Sequence, residues 1–165
     1  MIIKRKDLLH DIAGTAYIIA DSWEGKESPH ALHQIFDICE AGNIDRVDSL
    51  LKLAAAEAAY ELSPIVTLST WRHNFRLAFP RPAAPAFCRC YAPESASKAM
   101  ETALFEVTRE FMVASVIHSW LAMLLPSVAA HWEKRKNSKL ESLRSTVARA
   151  VSARNATLRR RLSPF

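Results

Sequence analysis

Glycine is scarce in this chain of 165 residues, where only Gly14, Gly25 and Gly42 occur and none follows residue 42. An all-β fold of many strands needs frequent glycines in its turns, so that architecture is excluded. Neither a Walker phosphate loop nor a GxGxxG dinucleotide motif can be written with these three glycines. Half of the residues are apolar, which excludes disorder throughout. Since the length also falls within the usual span of one domain, the sequence predicts a single all-α domain.

Three short helices are predicted in the first part of the chain, residues 1–62. Apolar residues recur at offsets of four, seven and four over residues 8–23, which is typical of a helix with one buried face. A second helix is expected over residues 28–42, because Ser-Pro begins it and a glycine follows it. A third helix is expected from residue 43 or 45 to residue 62. Its apolar stripe consists of Ile44, Val47, Leu51, Ala54, Ala58 and Leu62.

The next segment, residues 63–97, is predicted to be an irregular proline-rich arm. Five of the eight prolines lie between residues 64 and 93, a density that no long helix tolerates. Two β-leaning runs, 65–68 and 87–91, leave room for one short hairpin. A stretch of this length without regular structure is often functional. The arm is interpreted either as a segment for partner contact or subunit exchange, or as a loop packed over the bundle.

Helical patterning returns in the last part of the chain. Over residues 98–125 the apolar stripe widens until the helix is apolar nearly all round, which predicts a central buried helix. Its most apolar window, Phe111 to Leu125, is 15 residues long, whereas a membrane-spanning helix needs about 20. No membrane span is therefore expected. Pro126 breaks this helix, and a long basic helix with a short tail is predicted over residues 126–165, giving a bundle of about five helices.

Positive charge is concentrated in the last 35 residues. Residues 131–165 hold ten basic and two acidic side chains, whereas residues 1–130 hold 12 basic and 15 acidic ones. From Arg144 to Arg159 arginine recurs every five residues, a step of about 140° around a helix, so these arginines ring the helix rather than line one face. The predicted partner-binding residues are Arg144, Arg149, Arg154, Leu158, Arg159, Arg160, Arg161, Leu162 and Phe165.

Four interpretations of this basic segment are open, because excess like charge favours an oppositely charged partner. A ring of arginines with apolar residues at its end suits an acidic groove on a protein partner. Nucleic acid is an alternative partner, although no aromatic residue alternates with the arginines to stack on bases. The segment could instead be a solvated helix whose charge meets the acidic first helices of its own chain. Contact with an anionic membrane is the fourth interpretation.

The sequence predicts no catalytic site, no metal site and no cofactor. His30 and His33 lie three residues apart, but no carboxylate completes a recognisable metal pattern. Cys88 and Cys90 would need two further ligands to hold zinc, so they are interpreted as buried or inert. Three cysteines without a secretory pattern, and no signal peptide, favour a cytoplasmic location. We therefore expect a protein that is not an enzyme.

Short motifs in the last third of the chain resemble a family of uncharacterised helical proteins encoded in bacterial prophages and related mobile elements. The matching pieces are FMV at 111–113, SWL at 119–121, the segment 126–132 and the terminal RRRLSPF at 159–165. The size and helicity are also similar to head–tail connector (neck adaptor) proteins, which form rings between portal and tail and commonly dock a terminal segment on the portal. The proline-rich arm departs from that adaptor pattern.

The resemblance implies a structural assembly protein of a phage or prophage. We therefore expect a homo-oligomer that is incorporated into a virion and whose acidic partners are portal or tail proteins. The alternative function is that of a small basic accessory protein of a mobile element that binds nucleic acid.

Overall fold

The computed structural model of the chain describes residues 2–22, 33, 35, 37–65, 88–89 and 98–162. This part of the chain is built from α-helices, with one 3₁₀ turn over Asp37–Cys39 and one pairing of two-residue strands. The predicted all-α class is confirmed. The helices are α1 (Arg5–Asp21), α2 (Ile44–Leu62), α3 (Lys98–Leu124) and α4 (Pro126–Leu162), and the strands are β1 (Ile2–Ile3) and β2 (Cys88–Arg89).

The helix bounds follow the sequence signals closely, with one local difference. Pro126 is the first residue of α4, where its missing N–H would have had no partner in any case. In the predicted second helix, the described residues Asp37–Cys39 form a 3₁₀ turn instead of continuing an α-helix to Gly42. Asn43 Nδ2 donates a hydrogen bond of 2.9 Å to the carbonyl of Asp37, which ties this turn to the start of α2. Residues 28–32, 34 and 36 of that predicted helix lie outside the described residues, so the count of five helices stays a prediction.

The two strands join the N-terminus to the predicted arm. They run antiparallel, with Ile2 opposite Arg89 and Ile3 opposite Cys88. Ile3 is fully buried, so its side chain adds an apolar contact to the backbone hydrogen bonds of this short pairing. Apart from residues 63–65 and 88–89, the predicted arm lies outside the described residues, and so does most of the predicted hairpin.

The central element is α3. Its consecutive residues Ala114 to Ile117 are all buried, which occurs only when a helix is covered on most sides. Phe111, near the middle of the helix, has no exposed surface. Within the described ranges, no helix combines the length and the apolar character that crossing a membrane requires. The apolar run of α3 is therefore explained by the helices that pack around it.

Helix α4 folds back on α3 as an antiparallel neighbour. Leu125 alone separates the two helices, and its amide donates to the carbonyl of Leu121 at 2.7 Å. Further along the pair, Lys139 Nζ lies 2.6 Å from Glu110 Oε2. These two residues are nearly equidistant in sequence from Leu125, as the antiparallel arrangement requires.

Helices α1 and α2 both run in the same direction as α4. On α2, Glu57 pairs with Lys136 of α4 and Glu61 with Arg144 further along it, so the two helices run in the same direction. On α1, Arg5 pairs with Asp48 near the start of α2, with Nη2–Oδ2 at 2.8 Å. The start of α2 lies beside the end of α3, as the contact between Arg46 and Trp120 shows. Asp11, further along α1, pairs with Arg109 nearer the middle of α3, so α1 also runs antiparallel to the central helix.

The spaces between these three outer helices differ. The 3₁₀ turn packs against both α1 and α2, and Cys39 Sγ donates to the Leu9 carbonyl at 3.4 Å. Ile38 of the same turn is fully buried. The space between α1 and α4 is instead open and forms a groove above α3.

Replacing Phe111 by Ala should lower the free energy of unfolding by about 3–5 kcal/mol, because the buried ring leaves a cavity among three helices. Ile18→Ala is the matched control: Ile18 is 67% exposed, so its truncation should change stability by less than about 0.5 kcal/mol. Urea unfolding followed by circular dichroism measures both. A loss at Phe111 no larger than that at Ile18 would contradict the central position of α3.

Candidate docking surface on the basic C-terminal helix

Three of the cations in the proximal half of α4 pair with carboxylates of other helices of the same chain. The partner carboxylates belong to α2 and α3. They are distant from α4 in sequence, so the sequence near the cations does not predict these pairs. This is the geometry of the third interpretation above, in which the basic helix meets the acidic helices of its own chain. The pairs are Lys136–Glu57 at 2.9 Å, Lys139–Glu110 at 2.6 Å and Arg144–Glu61 at 2.8 Å.

Arg144 is the first predicted partner-binding residue, and its guanidinium already holds two carboxylates. Nη2 donates to Glu61 Oε1 at 2.8 Å, and Nη1 donates to Glu141 Oε1 at 2.9 Å. These hydrogen bonds raise the pKa of Arg144 further above its ordinary value. The Glu61 side chain is only 14% exposed, so the pair with Glu61 is shielded on one side. Arg144 is therefore positioned to fasten α4 to α2.

The distal part of α4 extends beyond the bundle. Among the side chains of α4 whose burial is described, Ala150 is the last buried one, Val151 is half-buried, and Ser152, Asn155 and Ala156 are exposed. The reason is a difference in length, since α4 has 37 residues whereas the antiparallel α3 has 27. Residues 152–162 therefore continue as a projecting helix of about 16 Å.

The charge of the projecting helix has no carboxylate nearby in sequence, because no acidic residue follows Glu141. Arg149, just before the projection, is exposed and donates to Thr146 Oγ1 at 3.1 Å. The continuity of α4 to Leu162 means that the spacing of about 140° between successive arginines applies along its length. The projecting helix carries Arg154, Leu158, Arg159, Arg160, Arg161 and Leu162, whose side chains, like Phe165 as a whole, lie outside the described residues.

The groove between α1 and α4 is a second candidate site. Sequence analysis did not predict it, because helices that are distant in sequence form it. It has a volume of about 400 Å³. Gly14 and Ile18 line its α1 side, Val113 lies on its floor, and Trp132 and Arg135 line its α4 side. No periodicity within one helix could have indicated this gap.

The charged residues of the groove balance one another. Arg109 Nη2 donates to Asp11 Oδ1 at 2.8 Å, and the guanidinium of Arg135 stacks 4.8 Å above the Trp132 ring. The hydrogen bond with Asp11 raises the pKa of Arg109. The lining has equal numbers of acidic and basic side chains, so it has no net charge to attract an ion. They are Asp11, Glu106 and Glu110, and Arg109, Arg135 and Lys139.

The described residues contain no group of three or more His, Cys, Asp or Glu side chains that could hold a metal ion. Burial raises the pKa of the Cys39 thiol, which therefore stays protonated at neutral pH and donates to the Leu9 carbonyl. Cys39 is thus suited to a packing role. Of the two histidines considered together in the sequence, only His33 lies among the described residues.

Comparison with known proteins adds no family to this description. No protein-family model matches the chain, and no match was found among curated proteins or among solved structures. The candidate docking surface is therefore supported by the geometry of α4 alone.

Replacing Glu57 and Glu110 by Gln should lower the free energy of unfolding by less than about 1 kcal/mol per pair, because both pairs are partly solvated. The difference from the parent should shrink as NaCl is raised from about 0.05 to about 0.5 M, since salt screens exposed charge. Glu133→Gln, an exposed change on α4, is the control. Urea unfolding at both salt concentrations measures the effect, and a deficit that is independent of salt would contradict an electrostatic role.

Proposed function

We propose that this chain is a non-enzymatic assembly protein that docks the projecting end of α4 on an acidic surface of a protein partner. The observation that carries the proposal is the extension of α4 beyond Ala150, the last buried residue among the described side chains of this helix. The extension is helical to Leu162, is rich in arginine and contains no acidic residue. Guanidinium groups bind carboxylates through two parallel hydrogen bonds, which suits contacts of defined geometry.

The distribution of arginine favours a protein partner over a nucleic-acid duplex. Arginines at five-residue intervals point in different directions around a helix, whereas a duplex presents its phosphates to one face at a time. An acidic groove that surrounds the helix can bind arginines that point in several directions at once. The apolar positions Leu158, Leu162 and Phe165 would add apolar burial to such a contact.

The resemblance of the last third of the chain to prophage-encoded proteins favours a virion neck or connector subunit as the setting. In such a ring, many copies present the same segment, so modest contacts at each copy would add through avidity. The expected partners are then portal or tail proteins, and no bond is made or broken.

Binding to nucleic acid is the second candidate function. The observation that favours it is the sequence after Glu141, in which arginine is present and acid is absent. Five or six phosphate contacts would make the affinity fall steeply with salt, with a log–log slope of about −4 to −6.

Removing residues 157–165 should weaken binding to poly-L-glutamate, used as an acidic polypeptide probe, by at least about tenfold. Helicity and the unfolding midpoint should stay close to those of the full chain, because Ser152, Asn155 and Ala156, which precede the cut, are already exposed. Changing Arg159, Arg160 and Arg161 to Gln should give a similar loss without shortening the chain. Fluorescence anisotropy and urea unfolding measure the two properties.

The charge-matched control changes Lys4, Lys6 and Lys98 to Gln, which removes the same charge from exposed positions outside α4. This control should bind the acidic probe nearly as well as the parent. If instead the truncated chain loses much of its stability, the tail packs on its own bundle and the docking proposal is wrong. If duplex DNA binds more tightly than the polypeptide, and truncation flattens its salt slope, the second candidate replaces the first.

A further inference from the structure

The outward face of α2 is uncharged over most of its length, which is unusual for a helix on a protein surface. Leu53 is 69% exposed and Tyr60 is 77% exposed, and Ser49 and Ala56 complete an exposed stripe with them. A surface helix ordinarily places its charged residues on the outward face. On α2 the charges lie at the flanks of this stripe instead, as Lys52 and Glu57 illustrate. The helix thus has a second apolar face opposite the one in the core.

The spacing of the stripe is that of a two-stranded coiled-coil seam. From residue 46 to residue 60 the exposed positions recur at offsets of three, four, three and four, which are the a and d positions of two heptads. Leu53 and Tyr60 occupy a positions, and Ser49 and Ala56 occupy d positions. Over about 16 Å, large residues thus alternate with small ones, which allows side chains of one helix to fit between those of another.

Two polar side chains at this face already have partners within the chain. Ser49 Oγ donates to the carbonyl of Asp45 at 2.9 Å, so covering it would leave no unpaired hydroxyl donor. At the N-terminal end of the stripe, the guanidinium of Arg46 lies over the ring of the chain's own Trp120, 5.3 Å from its centroid. The Ser49 hydroxyl and the Arg46 guanidinium thus each have a partner before the stripe is covered.

The charges at the flanks of the stripe favour a second copy of this chain as the partner, and they favour one orientation of the pair. Lys52 occupies a g position and Glu57 the e position five residues later. In a parallel pair the g residue of one helix meets the e residue of the other, so Lys52 of one copy faces Glu57 of the second copy. An antiparallel pair would place the Glu57 flank of one copy against the same acidic flank of the other, which is unfavourable. Complementarity thus points to a second copy in parallel orientation.

We infer that the stripe formed by Ser49, Leu53, Ala56 and Tyr60 is a self-association surface, through which two copies of this chain pair by parallel packing of their α2 helices. The stripe is narrow compared with standard interfaces of about 800 Å² per partner, so the pair is weak, with a dissociation constant on the order of micromolar. This inference does not depend on the proposed function.

The pairing has one consequence that does rest on the proposed function. Because α2 and α4 run in the same direction, a parallel pair about a two-fold axis along α2 places both projecting basic helices at the same end. Two docking segments at one end would act together through avidity on an acidic surface.

Sedimentation velocity of the full chain over a range of concentrations tests the pairing. The parent should show a concentration-dependent monomer–dimer equilibrium, and Leu53→Glu should weaken it at least about tenfold. Ile18→Glu is the matched control, because Ile18 is 67% exposed on α1, and it should leave the equilibrium unchanged. A parent that stays monomeric, or a dimer that Leu53→Glu does not weaken, would overturn the inference.

Charge exchange tests the orientation. Lys52→Glu should weaken the dimer by about three- to tenfold, and adding Glu57→Lys in the same chain should restore it by reversing both members of the pair. Urea unfolding confirms that each variant is folded, which matters because Glu57 contacts Lys136 and Lys52 also has an interaction within its own chain. Failure of the folded double variant to recover would rule out the parallel arrangement.

A last variant keeps this test separate from the proposed function. Changing Arg159, Arg160 and Arg161 to Gln should abolish docking to the acidic probe and leave the monomer–dimer equilibrium intact. If that variant also fails to dimerise, the projecting helices and not α2 hold the two copies together, and the inference fails.

Discussion

The burial of α3 is the constraint on which the rest of the structure depends. A helix that is apolar nearly all round is unfavourable in water until other elements cover it, and each outer helix supplies part of that cover. Antiparallel α4 covers most of one side, and α1 and α2 cover others. Phe111 and Ile117 are fully buried as a result. The positions of the charged residues follow from this packing, because every outer helix must keep its polar residues at the edges of its contact with α3.

Ion pairs at those edges fix how the helices are aligned. Arg109 with Asp11 and Arg5 with Asp48 join α1 to its neighbours, each through two hydrogen bonds. Such pairs contribute little to stability when solvated, but their geometry is specific. They set the position of α1 along α2 and α3. On α4, Lys136, Lys139 and Arg144 pair with carboxylates of α2 and α3 in the same way, whereas the distal end of α4 has no carboxylate nearby in sequence.

Two features of the molecule thus face outward. Each arises because a helix is longer, or has more apolar positions, than the core can cover. Helix α4 is longer than the α3 surface that it covers, so its basic end projects. Helix α2 has more apolar positions than the core can take up, so Leu53 and Tyr60 face water. The same helical periodicity that builds the core therefore also builds the surfaces that we assign to partners. A projecting basic end and an apolar outer stripe suit an assembly protein better than a protein with an enclosed reaction site.

The sequence by itself determined the helical class, the bounds of the long helices and the excess of charge in the last 35 residues. These are local properties: the spacing of apolar residues, Pro126 and the order of charges along the chain are visible without a fold. Only the tertiary structure decided that Glu57 and Glu61 neutralise the proximal cations, that a groove separates α1 from α4, and that Leu53 and Tyr60 lie outside the core. The physical reason is that periodicity shows which residues share a face, whereas the packing of residues distant in sequence decides what that face meets.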